Sequence, residues 1–342
     1  MLDVRKMQLL RELGRLGTIA AVAQAQFCTP SAVSQQLSAL EREAGVQLIR
    51  RSGRGVELTA AGAELADRTG PVLALLEQAA AALAASRTEL AGELRIGAFQ
   101  TAVRTLLPAA LVALGTEHPR LELRVTELDP AQASDALRAG VLDIALMHEY
   151  DYAPAERDPA LRTEPVLEET MFLAATAGPG AREGNEPPAG EQAGGEPAGA
   201  NGEAARPQPL VSAHDQPWIV ASPGTLCHLM AVRLCQEAGF TPRIRHYADD
   251  FAAVLTLVAA GQGVALVPEL ALADRPAGVM LTPLAARRRT LIACRAAASA
   301  HPAVTACAAA IQTAAASYRA GGLDHRCSSA RSPAVHAVVV SR

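Results

Sequence analysis

The sequence predicts a multidomain α/β protein: a winged helix-turn-helix at the N-terminus, a long linker helix, and a larger C-terminal α/β domain. Three observations lead there. Residues 1–58 carry three helical patterns and then two short strand patterns around a glycine turn. Residues 60–87 read as one long helix. From residue 93 onward strand and helix patterns alternate, as in a parallel sheet with crossover helices.

At 342 residues the chain is long enough for two or three domains, and its 50% hydrophobic content supports real cores although aromatics are only 3%. Among 31 basic residues only Lys6 is lysine, an arginine and alanine excess that reflects GC-rich codons rather than function. Residues 1–30 lack the continuous apolar core of a signal peptide, and no run of about 18 apolar residues could span a membrane. A soluble, cytoplasmic protein without a membrane partner is expected. The cysteines are Cys28, Cys227, Cys235, Cys294, Cys307 and Cys327. None forms a C-x-x-C pair or a Cys/His cluster at zinc-ligand spacing, so free, mostly buried thiols are expected, with no metal and no cofactor.

The first helix covers residues 4 to 13, with Met7, Leu10 and Leu13 on one face; residues 14 to 17, a glycine at each end, break it. Thr18 caps a second helix over residues 19 to 26. Phe27 and Cys28 form a short turn, which gives helix-turn-helix spacing. The third helix opens at Thr29, a good N-cap, with Pro30 at the first helical position. Val33, Leu37 and Leu40 form its apolar stripe. Ser31, Ser34, Gln35 and Ser38 fall elsewhere on its surface, as suits a helix approaching base edges. An ordinary amphipathic helix with a polar outer face is the alternative. Residues 48–59 read as two strands joined by a glycine turn with Arg50, Arg51 and Arg54, a wing suited to phosphates. Residues 1–58 hold eight basic and five acidic side chains, +3 in a chain of formal charge −4, so positive charge concentrates around the groove helix.

Residues 29–62, TPSAVSQQLSALEREAGVQLIRRSGRGVELTAAG, closely resemble the N-terminal winged helix-turn-helix of LysR-type transcriptional regulators. The shared features are an Ala-Val-Ser core, Leu-Glu followed by Gly, a glycine-arginine wing, and Leu-Thr-x-Ala-Gly opening the next helix. Gln26 departs from the family's usual buried leucine, and Ile49 from its usual phenylalanine. A buried amide needs partners. The resemblance implies double-stranded DNA as partner, bound by Thr29 and Pro30 at the helix start, with Ser31, Ser34 and Gln35 at the bases and Arg51 and Arg54 on phosphates.

Residues 60 to about 87 present Leu65, Val72, Leu75, Leu76, Ala79 and Leu83 as a stripe. Such a helix suits a dimer seam, and in the family this position pairs two DNA-binding domains. A simple connector is the alternative. Gly70-Pro71 interrupts the stripe, and the proline is expected to kink the helix or weaken it locally.

In the C-terminal domain, strands at residues 93–98, 121–126 and 142–146 alternate with helices, and ligands of open α/β sheets bind beyond the carboxyl ends of strands. That rule puts Gln100, Thr101 and His148 on one lip of a cleft. ELRIGAFQTAVRTLLPAAL, HPRLEL and LRAGVLDIAL resemble the family's effector domain, which has two α/β lobes like periplasmic binding proteins. By the same resemblance residues 165–175 cross into the second lobe, residues 257–272 carry its signature, and the chain recrosses through residues 278–284 and a strand at 289–295. The turn ASPGT at 221–225 meets a helix N-terminus, a place for an anion or amide. In the family it faces the effector, so Ser222, Gly224 and Thr225 form the other lip. A last helix runs from Pro302 to about Tyr318. The resulting domains are a winged helix-turn-helix (1–58), a linker and dimerisation helix (59–88), an effector-binding domain (89–320) and a tail expected to be disordered (321–342). Residues 178–209 hold 8 Gly, 6 Pro and 5 Glu and no Val, Ile, Leu or aromatic residue, which predicts a disordered insert.

The C-terminal half shows no G-x-S-x-G elbow, P-loop, H-E-x-x-H or complete dinucleotide fingerprint, so an enzyme is not expected. Asp249-Asp250 reads as a helix cap rather than an acid/base dyad, and a lone histidine such as His148 is more often structural than a ligand contact. An enzyme carrying a helix-turn-helix, like the biotin ligases, is one alternative. A thiol-redox regulator is another: peroxide-sensing family members carry a cysteine pair near the region of Cys227 and Cys235, at similar spacing but one residue out of register at Cys227. On one helix these two sulfurs would lie roughly 12 Å apart. The resemblance as a whole implies a homodimer or homotetramer on an inverted-repeat site, a small-molecule effector in the cleft, and RNA polymerase as an optional further partner.

Overall fold

The computed structural model describes residues 1–52, 55–87, 89–154, 158–176 and 208–325. The N-terminal domain contains α1 (Val4–Leu16), α2 (Ile19–Ala25), α3 (Pro30–Ala44), β1 (Ile49–Ser52) and β2 (Gly55–Leu58). Asp3, Thr18 and Thr29 cap the three helices through their side chains. Helix α1 runs through Gly14 and stops only at Gly17, whose φ of 75° suits a glycine C-cap. Met7, Leu10, Leu13, Val22, Val33, Leu37, Leu40 and Leu48 form one buried core.

The wing is tied to this core at two points. The Glu41 carboxylate accepts from the N–H groups of Leu48 (2.9 Å) and Ile49 (3.0 Å). Gly62 meets the same turn so closely that a Cβ there would lie 2.0 Å from the Leu48 carbonyl oxygen. The next helix, α4 (Ala60–Ala85), begins against the wing at that glycine.

Helix α4 continues through Pro71 as a single 26-residue helix, in line with the one long helix that the sequence predicts. Its first turns pack on α1, burying Gly62, Ala66 and Thr69, while Leu75, Leu76 and Leu83 stay exposed in the single chain.

The C-terminal domain follows with β3 (Gly92–Ala98), α5 (Gln100–Thr105), α6 (Leu107–Glu117), β4 (Leu121–Glu127), α7 (Pro130–Arg138), β5 (Ile144–Tyr150) and β6 (Leu161–Thr176). After it come α8 (Gln208–Val211), β7 (Pro217–Val220), α9 (Leu226–Glu237), β8 (Arg243–Tyr247), α10 (Phe251–Ala259), β9 (Ala265–Pro268), β10 (Val279–Arg295) and α11 (Pro302–His325). The large sheet has the order β4-β3-β5-β10-β6-β9. Strand β3 is parallel to β4 and β5, as alternation predicted, whereas β10 is antiparallel to both β5 and β6.

Strands β6 and β10 are long because each serves two cores. Leu167 and Ile292 pack in the core of the near lobe, with β3, α6 and α11. Met171, Leu173, Leu284 and Ala286 pack in that of the far lobe, with Trp218 and α9. The two expected recrossing segments, 278–284 and 289–295, are thus one continuous strand. Helix α11 continues to His325, into the segment expected to be tail, and α8 opens at Gln208, inside the expected insert. The disorder expected for 178–207 and 326–342 falls outside the described residues.

Candidate functional site

Two surfaces draw together the residues singled out by the sequence. The first is the face of α3. Thr29, Pro30, Ser31 and Gln35 are exposed and Ser34 half-buried, while the Val33, Leu37 and Leu40 stripe points into the core. Thr29 accepts from the Ala32 N–H and its hydroxyl lies 3.0 Å from that of Ser31. Arg51 is exposed on β1 beside the Arg50–Glu57 ion pair at 3.1 Å. Arg54 lies outside the described residues.

The second is a cleft of about 460 Å³ between the lobes. The carboxyl ends of β3 and β5 supply Phe99, Gln100, Thr101 and His148, and the far lobe supplies Ala221, Thr225 and Cys227. Gln100, Thr101, His148 and Thr225 therefore meet in one cavity. Ser222 and Gly224, expected on the same lip, are not among its walls. The physical reason lies in the next element. Asp249 accepts both the Ser222 N–H and the Ser222 hydroxyl, each at 2.7 Å, and so stands between that turn and the cavity. The Thr225 N–H and hydroxyl both donate to the Ser222 carbonyl. The donors of Ser222 and Thr225 are thus satisfied inside the chain.

The floor is a buried polar array missed by sequence reasoning. Arg288, fully buried, donates from Nε to Glu169 (2.6 Å) and from Nη2 to the Thr101 hydroxyl (3.0 Å), with its guanidinium 5.0 Å from the centre of the Phe99 ring. The other Glu169 oxygen accepts from the Leu270 N–H at 2.7 Å. Burial opposes charge on Arg288, but Glu169 outweighs it and holds the guanidinium above its ordinary value. An arginine inside an alternating strand gives no sign of burial; the cue available was Glu168-Glu169 on the strand that would pair with it.

His148 packs edge-on between Phe99 and Tyr150, at ring distances of 4.7 and 5.1 Å. Burial, reinforced by Arg288, holds its imidazole well below the usual value, so it is neutral. Among the described residues its Nδ1 and the Oε1 of Gln100 have no hydrogen-bond partner. The Tyr150 hydroxyl lies 3.2 Å from the Cys227 sulfur. Burial pushes the Cys227 thiol up, and pushes that of Cys235 up to about 12.

Four carboxylates complete the walls: Glu127, Asp129, Asp249 and Asp250. Asp250 caps α10 through the Ala252 N–H at 2.8 Å, as its sequence position suggested, and Asp129 caps α7 through Ala131 in the same way. Burial, with a contribution from Asp249, raises the Asp129 carboxyl above the usual range despite its cap hydrogen bond.

Helix α7 links the two surfaces. Asp129, Pro130 and Gln132 face the cleft, and Ala131, Gln132 and Asp135 border a second hollow shared with Phe27 and Cys28 of the helix-turn-helix. Arg15 of α1 pairs with Asp135 at 2.8 Å. Gln8 and Gln26 donate to the carbonyls of Arg138 (3.3 Å) and Ala139 (3.2 Å). Gln26, out of place as a buried leucine, finds its partner across the domain boundary.

Comparison with known proteins gives two family matches. A profile described as "Bacterial regulatory helix-turn-helix protein, lysR family" matches residues 4–63, and "LysR substrate binding domain" matches residues 87–316. The chain is similar to a "Probable hydrogen peroxide-inducible genes activator" of Mycobacterium avium, 31% identical over 253 residues, covering 74% of this chain and 73% of that one. It is also similar to "HTH-type transcriptional regulator ClcR" of Pseudomonas putida, 29% identical over 269 residues, with coverage of 78% and 83%. Among solved structures, full-length OxyR of Pseudomonas aeruginosa in a cysteine-to-aspartate form aligns with a TM-score of 0.55 at 18% identity, covering 91% of this chain and 98% of that one. A cysteine mutant of Corynebacterium glutamicum OxyR gives 0.53 at 23% identity, with 95% coverage of each chain. At these identities the structures speak to the fold alone.

Proposed function

The chain belongs to the LysR family of DNA-binding transcriptional regulators with an effector-binding domain, and on that premise we propose how its own residues divide the work. Ser31, Ser34 and Gln35 read base edges in a major groove, from a helix that Thr29 and Pro30 open against the DNA, with Arg51 and Arg54 on the phosphates. A small molecule enters the cleft walled by Gln100, Thr101, His148 and Thr225. The observation that carries this reading is α7, which borders the cleft at Asp129 and Gln132 and holds the DNA-binding domain at Asp135, Arg138 and Ala139. An effector that prefers one arrangement of the lobes shifts α7, and with it the pose of α3. Exposed Leu75, Leu76 and Leu83 on α4 support a seam with a second copy, giving a homodimer or a dimer of dimers. Among the described residues no helix is long and apolar enough to cross a membrane, which supports action in the cytoplasm. The C-terminal domain acts as a binding module rather than an enzyme.

A redox-sensing reading has one observation in its favour, the position of Cys227 in the cleft wall beside Tyr150. Burial opposes thiolate formation at Cys227 and Cys235, and Cys235 lies inside the far-lobe core on the same helix, α9. These facts favour a bound effector over a disulfide.

The test is a salt-dependent anisotropy titration of the full-length protein on DNA from upstream of its own gene. Gln35→Ala should lower sequence-selective affinity by about 1–3 kcal/mol. Arg51→Ala should weaken all sequences alike and reduce the salt slope by about one charge. Unchanged operator affinity in both variants overturns the DNA-site assignment.

A further inference from the structure

Resting on the reading of the cleft as the effector site, we propose that its effector is an organic cation, an ammonium or guanidinium compound, rather than a carboxylate. Three observations support this class. The first concerns the loop that would hold an anion. The Ser222 N–H and hydroxyl converge on one carboxylate, and it is the chain's own Asp249, at 2.7 Å from each. An incoming anion finds that place filled with like charge.

The second is the balance of charge around the cavity. Glu127, Asp129, Asp249 and Asp250 line it. The cation on its floor, Arg288, is already neutralised by Glu169 at 2.6 Å. Arg104, outside the lining, lies 3.9 Å from Asp250, one of the four. Carboxylates gathered around one cavity raise the cost of a further negative charge and lower that of a positive one.

The third is independent of the acidic residues. His148 is only 3% exposed, lines the cavity, and among the described residues has an unpartnered Nδ1. Burial keeps the ring neutral, so one nitrogen can accept a hydrogen bond. The unpartnered Gln100 Oε1 is a second acceptor nearby. Buried polar atoms without partners mark places where a ligand completes the hydrogen bonding. The Gln100 oxygen can only accept and the neutral His148 ring keeps one accepting nitrogen, so a ligand rich in N–H donors suits the two side chains that line the cavity. Among the described residues no group of three or more His, Cys, Asp or Glu is arranged to hold a metal ion, and a cavity of about 460 Å³ has room for a small organic molecule.

Three probes sharing a four-carbon chain separate the possibilities: putrescine (a diammonium), 1,4-butanediol (neutral) and succinate (a dicarboxylate). Each is titrated calorimetrically into the full-length protein at matched ionic strength, to about 10 mM. The expected order is putrescine bound, the diol at least about tenfold weaker and succinate undetected. Asp129→Asn should weaken putrescine by about tenfold while leaving the helix cap in place. Succinate binding as tightly as putrescine, or no putrescine binding, overturns the proposal. Operator affinity measured alongside separates the two levels. Putrescine that binds without changing operator affinity sustains the ligand class and overturns the effector reading. Succinate that binds and changes operator affinity does the reverse.

Discussion

Glu169 and Arg288 are cross-strand partners at the level where β6 and β10 both pass from one lobe to the other, and their side chains meet at 2.6 Å in the floor of the cleft. Leu167 and Thr290, the next pair but one, face the near lobe, and Met171 and Ala286 belong to the far lobe on the other side. A buried ion pair thus marks the line about which the lobes are joined. It adds little net stability by itself, since two desolvations offset the attraction.

Breaking the pair should be far costlier than replacing it. Arg288→Met alone strands a buried carboxylate and should cost about 3–5 kcal/mol in urea unfolding. The double variant Glu169→Gln, Arg288→Met should recover at least half of that loss. A double variant no more stable than the single one would show that the guanidinium's contacts with Thr101 and Phe99, rather than its charge balance, govern the hinge.

Two groups should shape the acid limb of stability. Asp143 is held below the usual carboxylate range: burial would raise it, but hydrogen bonds from the Arg95 side chain and N–H outweigh that. Its contribution is complete above the unfolded value near 4 and is lost as pH falls through the lower native value. His148 is a base held low by burial, so the unfolded chain takes up a proton the native one refuses as pH falls below about 6.5. His148→Gln should flatten the stability profile from about pH 6.5 downward, and Asp143→Asn the part below about pH 4. Unfolding measured across that range decides both.

Gly62→Ala places a Cβ against the Leu48 carbonyl oxygen, where only 2.0 Å is available. Neither backbone can yield without moving α4 off the wing. A loss of roughly 3 kcal/mol or more is expected in thermal unfolding, together with weaker operator binding. A near-neutral substitution would mean that the wing is not held by this contact.

Gln26→Leu removes the hydrogen bond to Ala139, and Asp135→Ala the ion pair to Arg15. Each should cost no more than about 1 kcal/mol of stability. Hydrogen exchange in α1 and α2 should nevertheless speed up, because these contacts hold the domains rather than either core. Equal exchange in wild type and variants would separate α7 from the control of the DNA-binding domain.

Cys227 and Cys235 should be insensitive to mild peroxide. Cys227→Ser and Cys235→Ala should leave operator affinity within about twofold, with or without peroxide, because both thiols are held protonated by burial. A peroxide-dependent change abolished by Cys227→Ser would reinstate the redox reading.

The DNA-binding domain was legible almost residue by residue, since its signals are local. Caps at Thr18 and Thr29, the period of Val33, Leu37 and Leu40, and the wing's glycine turn each work within a few positions. The parallel set β3, β4 and β5 was legible as alternation, whereas the division into two lobes came from the family resemblance alone. What escaped were facts of long-range pairing. Nothing near Ser222 says that Asp249, 27 residues on, will take its donors. Nothing near Arg288 says that it meets Glu169 and Thr101 in the dark.

The antiparallel course of β6 and β10 has a genetic corollary. The far lobe leaves the near one after Thr170 and returns at Arg287, and these two residues are neighbours in the ladder. It is therefore a cassette entered and exited at one rung. Recombination that exchanges everything between those two codons would replace the far wall of the cleft and leave both its near wall and the N-terminal domain untouched. The seam such a chimera must respect is the pair Glu169 and Arg288, one rung below the splice.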